Sequence, residues 1–270
     1  FLEIGTTTGA STILHEVGHA LGLNHPFEGN LFDDTTFDNQ AYTVMSYSQY
    51  DEVWAWIDGE NVFTISSTPS LLDITALQYY YGEQETTNLG DTTYTFEDFP
   101  FAEAIWDAGG DEDLLDFSNF TTDLTVSLVS GTSSTIPTTI PSGEWEMTDN
   151  LGIALGAEIE NAIGGAGNDT IVGNELGNVI NGGLGDDTLT GGDEDDIFEF
   201  FDDFGDDTIS DFVLDSDLLR FFDSSDTFIT ADAITAQDVG DDLVLVIGDN
   251  SLTLEDLAGE TFGDNFLDIA

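Results

Sequence analysis

The 270-residue chain holds three histidines, all within one short run: His15-Glu16-Val17-Gly18-His19-Ala20-Leu21-Gly22-Leu23-Asn24-His25. His15 and His19 stand one helical turn apart, so both imidazoles leave the same face of a helix. Gly22 tolerates a left-handed backbone, which ends the helix and turns the chain back so that His25 arrives as a third donor. Three neutral imidazoles leave a fourth position open for water, the arrangement of a catalytic rather than a structural zinc. Glu16 adjoins the first ligand. It is placed to take a proton from a zinc-activated water as that water attacks a peptide carbonyl, and then to pass the proton to the leaving amine. A helix that merely happened to carry two histidines would not also supply the bend glycine and the third imidazole.

The elements that must position these groups follow from periodicity. Ser11 to Leu23 has helical spacing, with Ile13, Leu14, Val17 and Leu21 as its apolar stripe. A second helix is expected from Pro69 to Tyr81, with Thr68 as N-cap, Pro69 in the first helical position and Gly82 as the stop. Between them, residues 27–67 show no sustained period, and residues 1–82 read as mainly helical with long loops.

From about residue 88 the character changes to short β-type runs separated by Gly, Asp and Asn turns, for example Leu124 to Val129. Residues 130–143 read as a surface loop, and residues 200–270 as irregular apart from a strand at Leu243 to Ile247. In the middle lies a repeat. Gly164, Gly173, Gly182 and Gly191 each open a nine-residue unit, the first being Gly-Gly-Ala-Gly-Asn-Asp-Thr-Ile-Val, while the second and fourth have lost glycines. Such a unit makes a tight glycine turn with inward carbonyls, an Asp at position six, and an apolar residue at position eight on a short strand. The eighth positions are Ile171, Ile180, Leu189 and Phe198. Two units make one coil, so unit n stacks on unit n+2. That pairs Asp169 with Asp187 around a calcium, together with the loop positions Gly165, Gly167, Gly182, Gly183 and Gly185, an all-oxygen shell. In the same frame Glu160 stacks on Asn178, and Asn178 on Asp196, as weaker calcium positions.

Downstream of the histidines lies Tyr42-Thr43-Val44-Met45-Ser46-Tyr47. With the long zinc motif it resembles the Met-turn of the metzincins. Pro26 after His25, the segment Pro69 to Ile74, the run Ile105 to Gly110 and the run Ile159 to Gly165 extend the resemblance to the serralysins, secreted bacterial proteases that carry such repeats. The resemblance implies that Met45 forms an apolar floor under the zinc ligands. It implies that Tyr47 can bind zinc at rest and hydrogen-bond the oxyanion during catalysis. It implies a further calcium near the domain junction at Gly90, Thr92, Asp107, Gly109 and Asp113. It also implies one Zn2+, several structural Ca2+, protein or peptide substrates, an extracellular location, and export by type I secretion machinery read from a C-terminus like Asp264 to Ala270.

The expected fold is α+β: the C-terminal part of a mainly helical metzincin catalytic domain over 1–85, then a parallel β-roll and β-sandwich domain over 86–270. Only fourteen residues precede His15, too few for the substrate-aligning sheet of a metzincin cleft, and the chain lacks an initiating Met, so it reads as a fragment. Composition excludes other classes. There are 56 acidic residues against one basic residue, Arg220, for a formal net charge of −55. No cationic surface is available to displace counterions from a nucleic acid or to dock on anionic lipid. The surplus requires cations or a salt-adapted surface. Without cysteine there are no disulfides or thiolate sites. No apolar run is long enough to span a membrane, and the first residues lack the pattern of a signal peptide. The expected state is a monomer. Two alternatives stay open: a non-enzymatic calcium-binding adhesion module with a vestigial zinc site, and a catalytically inactive fragment.

Overall fold

The structure is a computed structural model that describes residues 7–28, 38–40, 42–48, 54–57, 60–63, 66, 68–97, 101–110, 112–140, 143–145, 148–225, 227–263 and 266–267. Its contacts divide the chain into two compact units. The first comprises residues 1–89, 98–109 and 130–158, and the second residues 90–97, 110–129 and 159–270.

In the first unit, helix α1 runs Thr7–Ala20. Gly22 terminates it at φ 96. The Leu23 N–H donates to the Gly18 carbonyl at 3.0 Å and the Gly22 N–H to the His19 carbonyl at 3.1 Å. That pair of bonds caps a helix through a left-handed glycine and sends the chain back along it. Leu23 then buries against Val44 and Met45, with Leu14, Ala76 and Leu77 packed around them. Helix α2 runs Leu71–Tyr81. Its N-cap is Ser70 rather than the expected Thr68, and Pro69 lies outside the helix. The reason is local: the Asp73 carboxylate, three residues on, accepts the Ser70 N–H at 2.9 Å and fixes the first turn there. Gly82 stops the helix as expected, at φ 83 with its N–H on the Gln78 carbonyl.

The expectation of a mainly helical first region is not met. Trp54–Ile57 and Glu60–Phe63 form an antiparallel hairpin, from short runs rich in aromatic and branched residues that favour strand over helix. A further sheet places Leu151–Ile153 parallel to Glu103–Ile105 and antiparallel to Ser133–Ser134. Thr138–Ile140 pairs with Gly143–Trp145. The stretch expected as a surface loop therefore contributes strands, and Ile136 within it is fully buried. Asn150 makes this affordable, because its side chain accepts the Ile136 N–H at 2.8 Å and donates to the Ile136 carbonyl at 3.1 Å.

The second unit is built from two largely parallel sheets between which the repeat strands alternate. Asn161–Ile163 and Val179–Asn181 lie in one sheet, Thr170–Val172 and Thr188–Thr190 in the other. Ala162 pairs with Ile180 and Ile171 with Leu189, so each strand meets the one two units later. Ile171, Ile180, Leu189 and Phe198 are fully buried. Each contributes roughly 1.5–3 kcal/mol of apolar burial. The coil does not stop with the glycines, and this corrects the reading of residues 200–270 as irregular. Leu189 pairs onward with Ile209, and Phe198 with Leu219. Alternating burial in Asp206–Ile209 and Leu218–Phe221 carries the pattern where the turn motif has faded. The expected strand near Leu243 is Asp242–Ile247, antiparallel to both Thr235–Val239 and Asn250–Leu254. Arg220 pairs with Glu199 at 2.9 Å, side by side on neighbouring strands. Of the C-terminal tail, Phe266 and Leu267 are buried, while residues 264–265 and 268–270 lie outside the described residues.

Candidate metal centres

The Nε2 atom of His25 lies 3.1 Å from that of His19 and 3.3 Å from that of His15. Each ring is held from behind through Nδ1. His15 Nδ1 donates to the Val44 carbonyl at 2.8 Å, His19 Nδ1 to the Leu23 carbonyl at 3.0 Å, and His25 Nδ1 to the Glu28 carboxylate at 3.0 Å. With its proton on Nδ1, a neutral imidazole presents a bare lone pair at Nε2. Three such lone pairs facing one another repel unless an electrophile sits among them. Their spacing fits one, because donors about 2.0–2.1 Å from a tetrahedral ion stand roughly 3.3 Å apart. Among the described residues the ligand atoms of these three side chains all lie within 4.8 Å of one another, close enough to hold one metal ion.

Tyr47 belongs to the same constellation. Its ring stacks on His15 with centroids 5.3 Å apart and lies 4.5 Å from the His25 ring, and the residue is 64% exposed. Glu16 is exposed on α1, one residue beyond His15. Phe27 stacks face to face on His25 at 4.9 Å.

The support beneath the rings is built from α2. Buried Asp73 accepts the Thr43 hydroxyl at 2.6 Å and the Val44 N–H at 2.8 Å, besides capping its own helix. Burial pushes its pKa up, opposed by these hydrogen bonds. It thus fixes the residue whose carbonyl holds His15. Met45 is almost fully buried, and a Cβ on Gly18 would stand 2.4 Å from its sulfur, so a glycine is needed on α1 for the two to meet. The Tyr42 hydroxyl donates to Asp149 at 2.6 Å; burial, then the Asp149 carboxylate, raises its pKa to about 12.

In the second unit the expected calcium residues form two files of stacked side chains. In one, the Asp169 N–H donates to Asp187 Oδ1 at 2.7 Å and the Asp187 N–H to Asp207 Oδ1 at 2.8 Å. The second oxygens of Asp187 and Asp207 are buried with no hydrogen-bond partner among the described residues. Burial first, offset by backbone hydrogen bonds and reinforced by neighbouring carboxylates, raises Asp169 to about 6, Asp187 to about 7 and Asp207 to about 8. A Cβ on Gly183 or Gly185 would lie 2.0 or 2.1 Å from the carbonyl oxygens of Gly165 and Gly167, and one on Gly182 would lie 2.1 Å from Asp187 Oδ2. Glycine is therefore obligatory where loop oxygens crowd together, and the donor set is all oxygen, as calcium requires.

In the other file the Asn178 N–H donates to Asp196 Oδ1 at 2.8 Å. Asn178 itself donates through its amide to the Glu160 carbonyl at 2.7 Å. The residues of the expected junction calcium divide between the units. In the second, Thr92 donates through its N–H to Asp113 at 2.6 Å and through its hydroxyl to the Gly90 carbonyl, and the Asp113 N–H reaches Glu160 at 2.7 Å. Asp107 and Gly109 belong to the first, where the Gly109 N–H donates to Asp107 at 3.1 Å.

Sequence reasoning missed five participants. Asp207 had a signal, since Gly205-x-Asp207-x-Ile209 keeps positions four, six and eight of a unit. Glu28, three residues past His25, is the kind of acid that orients a metal-binding imidazole. Asp217 sits in a loop without glycine, and the Val44 and Leu23 carbonyls carry no side-chain signal.

The family model for the peptidase M10 serralysin C-terminal region matches residues 73–240. Metallopeptidase AprA of Pseudomonas marginalis is 37% identical over 193 residues, covering 64% of this chain and 39% of that protein. Serralysin of Photorhabdus luminescens is 39% identical over 195 residues, covering 64% and 37%. Serralysin of Photorhabdus sp. strain Az29 is 40% identical over 187 residues, covering 61% and 36%. Among solved structures, extracellular lipase LipA of Serratia marcescens matches at a TM-score of 0.34 and 20% identity over 68% of this chain and 38% of that one, too low to carry an argument. The chain thus spans about two fifths of the length of the curated relatives it matches. With more than half of its residues matched by the family model, the chain belongs to the serralysin family.

Proposed function

We propose that this chain carries the zinc-binding half of a secreted metalloendopeptidase active site, followed by a calcium-stabilised β-roll. The observation that carries the reading is the convergence of three Nε2 atoms whose Nδ1 partners are already engaged. A zinc ion there would supply Lewis-acid chemistry, polarising a peptide carbonyl and acidifying water. The Glu16 carboxylate takes the proton of the attacking water and returns it to the leaving amine. The exposed Tyr47 hydroxyl hydrogen-bonds the developing oxyanion. Residues 1–85 supply the catalytic portion, and the roll lies within 86–270. Its file of Asp169, Asp187 and Asp207 binds calcium between successive coils. Substrates are proteins or peptides, and the setting is extracellular, reached through a type I secretion channel; no described helix is long and apolar enough to cross a membrane.

The test is metal content and hydrolysis together. One zinc per chain is expected, lost in His19→Ala. Glu16→Ala should keep the zinc and abolish chelator-sensitive hydrolysis of a protein substrate. A chain that takes up no zinc, or a Glu16→Ala variant as active as the parent, overturns the reading. A second reading, a calcium-binding module without hydrolysis, is favoured by one observation: the family match begins at residue 73, after the histidines. Zinc uptake with no hydrolysis in a chain that includes the remainder of its relatives' length would select it.

A further inference from the structure

Strand Val179–Asn181 runs straight into Gly182, and Asn181-Gly182 is the one Asn-Gly pair in the chain. Asparagine before glycine is the dipeptide most prone to react with itself. The backbone nitrogen of the glycine attacks the side-chain amide carbon of the asparagine, and no Cβ on the second residue stands in the way. A bond forms between that nitrogen and Cγ, the Cγ–Nδ2 bond breaks, and ammonia leaves. Water then opens the cyclic imide at either carbonyl. One product is aspartate. The other is isoaspartate, in which the main chain runs through the former side chain and is one carbon longer.

In the closed coil this reaction is held off. Asn181 ends an extended strand and pairs with Ile163. Its carbonyl accepts the Gly164 N–H at 2.8 Å, and its side-chain Oδ1 accepts the Gly183 N–H at 2.8 Å. Closing the imide ring turns the peptide plane between Asn181 and Gly182, which takes the Asn181 carbonyl off Gly164. Ring closure also needs a base to remove the Gly182 proton, and Gly182 is buried in the coil while Asn181 is half-buried. Opening the coil lifts both restraints together. The other asparagines of the repeat, Asn168, Asn174 and Asn178, precede Asp169, Glu175 and Val179. Those side chains shield the attacking nitrogen, and the two carboxylates also resist its deprotonation.

The turn that follows has no space for a longer main chain. A Cβ on Gly182 would lie 2.1 Å from Asp187 Oδ2, and one on Gly183 would lie 2.0 Å from the Gly165 carbonyl oxygen. We propose that Asn181-Gly182 is a self-modification site sealed by closure of its own coil, and that a chain left open there converts to isoaspartate and cannot close again. Aspartate, the other product, keeps both the chain length and the oxygen that holds the Gly183 N–H. The gate is the folded coil itself, so the inference stands apart from the identity of any ion bound to the roll.

Two measurements on the whole chain decide it. The chain is held at pH 8, folded in calcium or unfolded in urea, and followed by peptide mass and by enzymatic methylation of isoaspartate. In urea Asn181 is expected to convert ahead of every other asparagine, and in the folded chain at least about tenfold more slowly, as for any reaction that waits on local opening. Equal rates in the folded chain and in urea, or conversion in urea no faster at Asn181 than at other asparagines, overturns the inference. Urea is then removed and the β signal recorded by circular dichroism. The unmodified chain and Asn181→Asp are expected to regain it, and the purified isoaspartate chain is not. An isoaspartate chain that refolds like the parent, or an Asn181→Asp chain that does not refold, overturns the one-way step. A β signal indifferent to calcium would count against the calcium reading alone, since the comparison with urea still decides this one.

Discussion

The first unit gathers three imidazoles and the second buries a file of carboxylates, and the two solutions to placing metal donors have opposite consequences for folding. His15, His19 and His25 are each oriented through Nδ1, by Val44, Leu23 and Glu28, with no charge that burial must offset by a cation. A carboxylate cannot be buried at neutral pH without a proton, a partner or a cation. Asp187 and Asp207 have one oxygen satisfied by the preceding coil and the other by nothing among the described residues. On the proposed reading the histidine centre is oriented ahead of its ion, whereas the roll would need cations beside its buried carboxylates.

Removing calcium should break this contrast open most widely. With chelator at pH 8 the β signal of the second unit should largely disappear in circular dichroism, while the parent in millimolar calcium keeps it. The pH dependence follows from the raised carboxyls. Asp187 and Asp196 rise to about 7 and Asp207 to about 8, against roughly 3.9 for an unfolded aspartate. Between those limits the folded state binds more protons than the unfolded one, so calcium-free stability falls as pH rises from about 4 to about 8 and then levels off. Denaturant melts in chelator across that range should show the decline, and saturating calcium should flatten it. A calcium-free roll equally stable at pH 5 and pH 8 would erase the distinction.

A smaller effect should come from Asp73, the acid under the histidine centre. Asp73→Ala leaves the Thr43 hydroxyl and the Val44 and Ser70 N–H groups without their acceptor. The loss should be about 3 kcal/mol or more from the first unit. Calcium binding should be untouched, measured by thermal melts beside calcium titration. The smallest effect should come from Glu28→Gln. The neighbouring acid orients His25, and losing such a partner costs about tenfold in metal affinity at the lower end of the usual range, since Glu28 is half exposed. Competition with a zinc-chelating dye would measure it.

How far the sequence could be read differs between the two regions for the same physical reason. The histidine spacing placed three rings on α1 and its turn because a helix is a local object, and Gly22 supplied the bend. What holds the rings was hidden, because two of the three acceptors are backbone carbonyls, and Val44 comes into place through Asp73, 29 residues away. In the roll, the repeat made the stacking of Ile171 on Leu189 legible. Its continuation through Asp217 was not, because alternate burial of Leu219 and Phe221 carries the coil after the glycines are gone. Residues 130–143 looked like a loop because the partner that lets Ile136 be buried is the side chain of Asn150, fourteen residues on.

Arg220, bonded to Glu199 on the end strand of a parallel sheet, also makes the chain nearly invisible to trypsin-like enzymes, which cut after basic residues. With no lysine and this one arginine, a single susceptible peptide bond exists, and it lies inside a strand. Scission there into two fragments would report strand opening at one known bond, a read-out that the composition has installed without any engineering.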